Sequence, residues 1–234
     1  MTARFARDST DYGCMIGVLG GTFDPIHFGH INPALELLRT LPLREIRFVL
    51  ARNPPHREPP LADTTHRWRM LELALQAHPG LLPDDRELRR DGPSYTIDTV
   101  RELRAEVGDS QPLCLILGAD TFAAFTSWRS WREILEQAHI VITARPGSSM
   151  PANGEVGRLL QARRAHAAED LARRPGGGIL ACSLHLLDIS STMIRKALAS
   201  GDDPDTMLPA KVLRYVHQHR LYQELPITPT SKGR

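Results

Sequence analysis

Two near-continuous apolar runs, residues 113–117 (LCLIL) and 139–144 (HIVITA), constrain the fold more than anything else in the chain. A strand with one wet face alternates apolar and polar residues. A strand that is apolar at every position must be covered on both faces, which is the condition of a parallel sheet between helical layers. Residues 14–19 and 45–50 (EIRFVL) read as two further strands, and a late one falls within 179–187. Helical spacing lies between them: from about His30, from Asp63 or Thr64 through Ala77, over 95–107, over 191–199 and over 209–219. Strands alternating with helices predict an α/β chain with a Rossmann-like, doubly wound parallel sheet and a small C-terminal helical part.

The 234 residues suit one domain, read as 14–223 after a loose leader (1–13) and before a disordered tail (224–234). Residues 148–178, polar and rich in Ala and Arg, read as a mobile helical insertion outside the core. The formal net charge is only +2, so nothing global calls for a nucleic-acid partner. Cys14, Cys114 and Cys182 are far apart and form no C-x-x-C pair, which argues against a disulfide framework or zinc cage and for a reducing compartment. No run of about 20 apolar residues offers a membrane span. A cytoplasmic protein is expected, with oligomerisation left open.

The string Gly20-Gly21-Thr22-Phe23-Asp24-Pro25-Ile26-His27-Phe28-Gly29-His30 joins the first strand to the first helix. A doubly wound fold puts its ligand at such a junction. Two glycines at a strand end let backbone N–H groups approach an anion, and His27 and His30, three apart at a helix start, can share a face. Two imidazoles there make a donor-rich site for a triphosphate. The string is neither a Walker loop nor G-x-G-x-x-G. Its H-x-x-H pair lacks a third zinc ligand of matching context, so no metal site is expected.

This string resembles the G-x-[FYST]-x-P-x-H-x-G-H signature of the nucleotidyltransferase superfamily. The resemblance implies that His27 and His30 contact the nucleotide phosphates and stabilise charge during adenylyl transfer, with Gly20, Gly21, Thr22, Phe23 and Gly29 beside the ATP. Much later, Ile189-Ser190-Ser191-Thr192-Met193-Ile194-Arg195 starts a helix. Hydroxyls there cap helices as a rule, but capping does not require Arg195, which can fork a phosphate from the same end. The segment is similar to the I-S-S-T-x-[IL]-R phosphate motif of nicotinate- and nicotinamide-nucleotide adenylyltransferases. It adds Ile189, Ser190, Ser191 and Thr192 to the implied ATP contacts and Arg195 to the implied catalytic set.

Three more stretches resemble bacterial nicotinate-nucleotide adenylyltransferases: Asn53-Pro54-Pro55-His56-Arg57, the run from Arg86 to Thr96 with its Pro93-Ser94-Tyr95-Thr96, and Gly118-Ala119-Asp120 followed by Phe125-Thr126-Ser127-Trp128. The implied acceptor is nicotinate mononucleotide, a flat ring bearing a carboxylate. The family stacks that ring on the Trp matching Trp128 and binds the carboxylate through backbone N–H groups at Thr96 and Arg129. Asn53, His56, Arg57, Tyr95 and Arg145 complete the implied acceptor set. Trp128 is otherwise a core aromatic, a part Trp131 could equally play. Gly118 joins the ATP side, and Asp120 either holds a ribose hydroxyl or caps the next helix. The resemblance implies Mg²⁺ arriving with ATP, deamido-NAD and pyrophosphate as products, and a place in NAD biosynthesis. The alternative acceptors are nicotinamide mononucleotide or another phosphate monoester such as pantetheine phosphate.

Overall fold

The computed structural model describes residues 15–52, 58–147 and 150–223. The expected leader and tail, and Asn53, His56 and Arg57, lie outside the described residues. The elements run β1 (Met15–Gly21), α1 (Phe28–Thr40), β2 (Leu43–Leu50), α2 (Thr64–Leu75), β3 (Leu81–Asp84), a 3-10 turn (Arg86–Leu88), α3 (Thr96–Val107), β4 (Leu113–Gly118) and α4 (Ala119–Ala123). There follow a second 3-10 turn (Phe125–Ser127), α5 (Trp131–Gln137), β5 (His139–Ala144), α6 (Gly154–Arg163), α7 (Ala168–Ala172), β6 (Ile179–Ser183), α8 (Ser191–Ala199) and α9 (Ala210–Gln218).

The strands form a single sheet in the order β3-β2-β1-β4-β5-β6, with every neighbouring pair parallel. Side chains from successive strand residues point to opposite faces. Accordingly Met15, Cys114, Ile116 and Val141 pack on one face with Ile31 and Leu37 of α1, Met70 and Leu71 of α2, Ile194 of α8 and Val212 of α9. Ile16, Val18, Leu115, Ile140 and Ile142 pack on the other with Val100 and Leu103 of α3 and Ile134 of α5. Both faces are covered, which is why β4 and β5 at the centre read as near-continuous apolar runs.

Winding reverses between β1 and β4, so the topological switch point lies there. The β1–β4 ladder ends at Val18–Leu115, although the strands continue to Gly21 and Gly118. A cleft therefore opens between two glycine-ended strands.

Several elements depart from the sequence expectation. β3 was not anticipated: it is four residues long and contains Pro83, tolerable because it pairs on one side only, with β2. The seven-residue α5 is too short for periodicity to reveal. The late strand expected within 179–187 occupies Ile179–Ser183. Of the polar stretch 148–178, expected to stand outside the core, Leu171 is fully buried, and Val156, Leu159 and Leu160 of α6 lie against the second core face. Exposed arginines dilute the apolar pattern there, so the local sequence conceals the packed side. Among the described residues no helix is long and apolar enough to cross a membrane.

Candidate active site at the switch point

The cleft begins with glycine. A Cβ on Gly20 or Gly118 would meet nothing within 4 Å, so both face open space where a ligand can approach the backbone. Gly21 differs: a Cβ there would come within 2.6 Å of the Phe23 ring. Phe23 is buried and holds a left-handed backbone (φ 46°), which turns the chain out of β1 toward the cis Asp24–Pro25 bond.

His27 is the N-cap residue of α1, and His30 lies in its first turn. Their rings lie 3.8 Å apart between centroids, and His30 meets Phe23 edge-on at 5.1 Å. His27 is 4% exposed, and its Nδ1 has no hydrogen-bond partner among the described residues. Burial pushes its pKa down to about 4, so the ring is neutral at pH 7 and can offer an N–H to an incoming anion. A Cβ on Gly29 would come within 2.9 Å of both the His27 ring and the Ile189 carbonyl oxygen. Glycine at 29 thus permits the first motif to touch the second.

Further contacts draw α8 onto the same turn. Ser190 caps α8 by accepting from the Met193 N–H (3.2 Å), whereas Ser191 reaches across and donates to the Pro25 carbonyl (3.0 Å). Arg195 donates to the Asp24 carbonyl (2.7 Å) and to the Thr192 hydroxyl (3.4 Å). The distant arginine therefore lies three residues from His27 in the turn that carries it.

Three residues that sequence reasoning did not place in the site hold this turn. Asp24 accepts from the Leu61 and Ala62 N–H groups (2.8 and 3.2 Å) and from the Tyr222 hydroxyl (2.6 Å). Arg67, 1% exposed, donates to the carbonyls of Thr22 (2.9 Å), Ala51 (2.7 Å), Arg52 (3.3 Å) and Ala62 (3.2 Å). Its guanidinium splices β1's exit to β2's exit. Asp24 stood inside the motif, but nothing local marked Arg67 on its helix or Tyr222 near the chain end.

On the acceptor-predicted side, Tyr95 is the N-cap residue of α3 and Thr96 its first residue. The Arg129 guanidinium lies 4.7 Å from the Tyr95 ring centroid. Trp128 packs edge-on against Phe125 at 5.6 Å, and Trp131 does so at 6.0 Å, so both tryptophans share the aromatic cluster. Arg52 ties β2's exit to the turn before α3: its N–H donates to Ser94 (3.2 Å) and its guanidinium to the Arg90 carbonyl (2.6 Å). Buried Glu87 accepts from Thr99 (2.5 Å), and Arg90 donates to Thr99 (2.8 Å) and Glu102 (2.9 Å). Desolvation pushes the Glu87 carboxyl up, against the pull of the Thr99 and Ser94 hydroxyls. The Glu87 and Arg90 of that stretch hold the turn that presents Tyr95 and Thr96. Arg145 is exposed and pairs with Asp188 (2.9 Å), one residue before the second motif. Asp120 is exposed in the first turn of α4, whose N-cap is Gly118, so the capping alternative does not hold.

Among the described residues no three His, Cys, Asp or Glu side chains converge as a metal-holding group. A separate cavity of about 520 Å³, lined by Arg69, Lys211, Arg214, Tyr215 and His219 among others, shares no residue with this cleft.

A cytidylyltransferase-like family model matches residues 18–197. The probable nicotinate-nucleotide adenylyltransferase of Hahella chejuensis is 44% identical over 208 residues, covering 88% of this chain and 95% of that protein. Its namesake from Methylococcus capsulatus is 44% identical over 209 residues, covering 89% and 99%. The solved Plasmodium falciparum nicotinic acid mononucleotide adenylyltransferase complexed with NaAD superimposes with a TM-score of 0.68 over 89% of this chain and 97% of that one. At 18% identity, that likeness speaks for the fold.

Proposed function

The chain belongs to the cytidylyltransferase-like family, among its nicotinate-nucleotide adenylyltransferases, and from that premise we propose that it transfers the adenylyl group of ATP to nicotinate mononucleotide, a step of NAD biosynthesis in the cytoplasm. The products are deamido-NAD and pyrophosphate. The observation that carries this reading is the convergence of two closely packed, mutually tilted imidazoles and Arg195 on the Asp24–Pro25 turn at the open end of β1.

The reaction is an in-line displacement. A phosphate oxygen of the mononucleotide attacks the α-phosphorus of ATP, the new P–O–P link forms, and the bond to the β-phosphate oxygen breaks. A phosphate monoester is already an anion at neutral pH, so no general base is required. Catalysis rests on positioning and on neutralising charge. His27, His30 and Arg195 supply the donors to the triphosphate. Gly20 and Gly118 leave the backbone open to it, with Gly21, Thr22, Phe23 and Gly29 lining the turn. Ile189 to Thr192 border it from α8, and Asp120 faces the ribose. Mg²⁺ enters as part of the Mg-ATP substrate, held by phosphate oxygens rather than a protein cage, and supplies charge neutralisation there.

For the acceptor, Trp128 stacks on the nicotinate ring, and the N–H groups of Thr96 and Arg129 hold its carboxylate. Tyr95, Arg145, Asn53, His56 and Arg57 complete the acceptor side. The test is direct: purified protein, Mg-ATP and, in parallel, nicotinate mononucleotide, nicotinamide mononucleotide and pantetheine phosphate, with pyrophosphate release measured. The highest kcat/KM is expected with nicotinate mononucleotide. No pyrophosphate from that mixture would end the reading.

A further inference from the structure

Tyr222 lies four residues beyond the end of α9, yet it is only 6% exposed. The chain reaches that position through two left-handed residues, Arg220 (φ 50°) and Tyr222 itself (φ 63°). Neither is glycine or asparagine, so each stores backbone strain that surrounding contacts must hold in place. What the strained turn achieves is specific: it carries the Tyr222 ring under β1's exit, where the hydroxyl donates to Asp24 at 2.6 Å. Burial, with Asp24 alongside, pushes the phenol well above its ordinary range, so it stays a donor at any working pH.

Asp24 stands where three demands meet. Its carboxylate receives the Leu61 and Ala62 N–H groups, which follow directly on the proline-rich loop of the acceptor side. Its carbonyl receives Arg195 at 2.7 Å, and the Arg195 guanidinium comes to 3.9 Å from the carboxylate. On its N-terminal side, Phe23 is left-handed. Asp24 is thus the peptide through which the orientation of Arg195 depends on the rest of the turn, and Tyr222 is the side chain that clamps it from below.

We propose that Tyr222 is a positioning residue for adenylyl transfer: by holding Asp24 it keeps the Asp24 carbonyl where Arg195 can rest on it, beside the two imidazoles. This rests on the adenylyl-transfer reading above. It makes the end of the chain part of the nucleotide site although it touches no substrate. A Tyr222 that merely filled the core would act through its ring alone, since it packs in the same apolar cluster as Met70 and Leu71.

Tyr222→Phe keeps the ring and removes only the hydroxyl. Loss of one hydrogen bond to a charged group predicts a drop in kcat/KM for ATP of about tenfold. The decisive readout is a double-mutant cycle with Arg195→Ala, measured by pyrophosphate release from the full-length protein. In the Arg195→Ala background the cost of Tyr222→Phe should shrink to within about twofold, because residues acting as one unit are non-additive. Asp24→Asn offers a second route: it should reproduce the loss with Tyr222 intact, and adding Tyr222→Phe should cost little more. An equal penalty in both Arg195 backgrounds would overturn the proposal, as would undiminished kcat/KM in Tyr222→Phe. Either result leaves wild-type turnover of nicotinate mononucleotide intact, so it is distinct from failure of the adenylyl-transfer reading, in which the wild type itself releases no pyrophosphate.

Discussion

The two sides of the cleft are built differently. The nucleotide side is tied down from every direction: Arg67, Tyr222, Ser191 and Arg195 all hydrogen-bond to a four-residue stretch, 22–25, and Gly29 lets α1 press against the backbone of Ile189. The acceptor side is held at its base by Glu87, Arg90 and Arg52, but the groups it presents are held by ring and cation contacts: Arg129 lies over Tyr95, and Trp128 packs on Phe125. A triphosphate undergoing bond breakage needs donors preorganised within tenths of an ångström. A flat ring needs a platform, which tolerates more play. The difference teaches that rigidity here follows the chemistry.

The comparison is broken most severely at the imidazoles. His27→Ala and His30→Ala should each lower kcat about a hundredfold or more in the pyrophosphate assay; if both variants turned over like wild type, the donors lie elsewhere. Gly29→Ala should follow, because its methyl would stand 2.9 Å from both the His27 ring and the Ile189 oxygen. A loss of tenfold or more in kcat/KM is expected, about the cost of misplacing one donor. Trp128→Ala sharpens the contrast from the other side. The KM for nicotinate mononucleotide should rise about tenfold while that for ATP stays within about twofold.

A smaller, global effect is expected with pH. His27, pushed by burial from 6.5 to about 4, and His139, lowered in the same direction chiefly by burial, are both neutral in the fold. His139 accepts from the Gly178 N–H (2.9 Å), so its proton sits on Nε2, donated to the Arg174 carbonyl (2.8 Å). Since each folded pKa lies below the unfolded one, their contribution is complete above about 6.5 and is lost as pH falls, for His27 toward 4. Thermal melts at pH 7.5 and 5 should show the lower Tm at pH 5, and a flat profile would refute the assignment. Least of all, Arg52→Ala removes the guanidinium's bond to the Arg90 carbonyl and an exposed ion pair with Asp91, and should lower stability by about 1 kcal/mol in denaturant titrations.

Much of the framework was legible because it is written locally. The run LCLIL is apolar at every position because β4 is covered on both faces, and its trailing Gly118 marks the cleft end of the strand. His27 and His30 meet because three residues make nearly one turn of α1. Ser190 proved to be a cap, as helix-start serines usually are, while its neighbour Ser191 reaches the Pro25 carbonyl. By contrast β3 escaped because four residues with a proline carry no periodic signal, and Leu171 escaped because Glu169, Asp170, Arg173 and Arg174 flank it.

By itself, then, the amino-acid order determined a doubly wound parallel sheet, a glycine-opened strand end and a histidine pair above it, since burial pattern and helix phase are properties of neighbours along the chain. Only the tertiary structure decided that Arg195 would rest on Asp24 from 171 positions away and Tyr222 from 198. Such partners are chosen by topology: α8 and the strained turn after α9 return beside β1, and a buried carboxylate must find donors wherever the fold brings them.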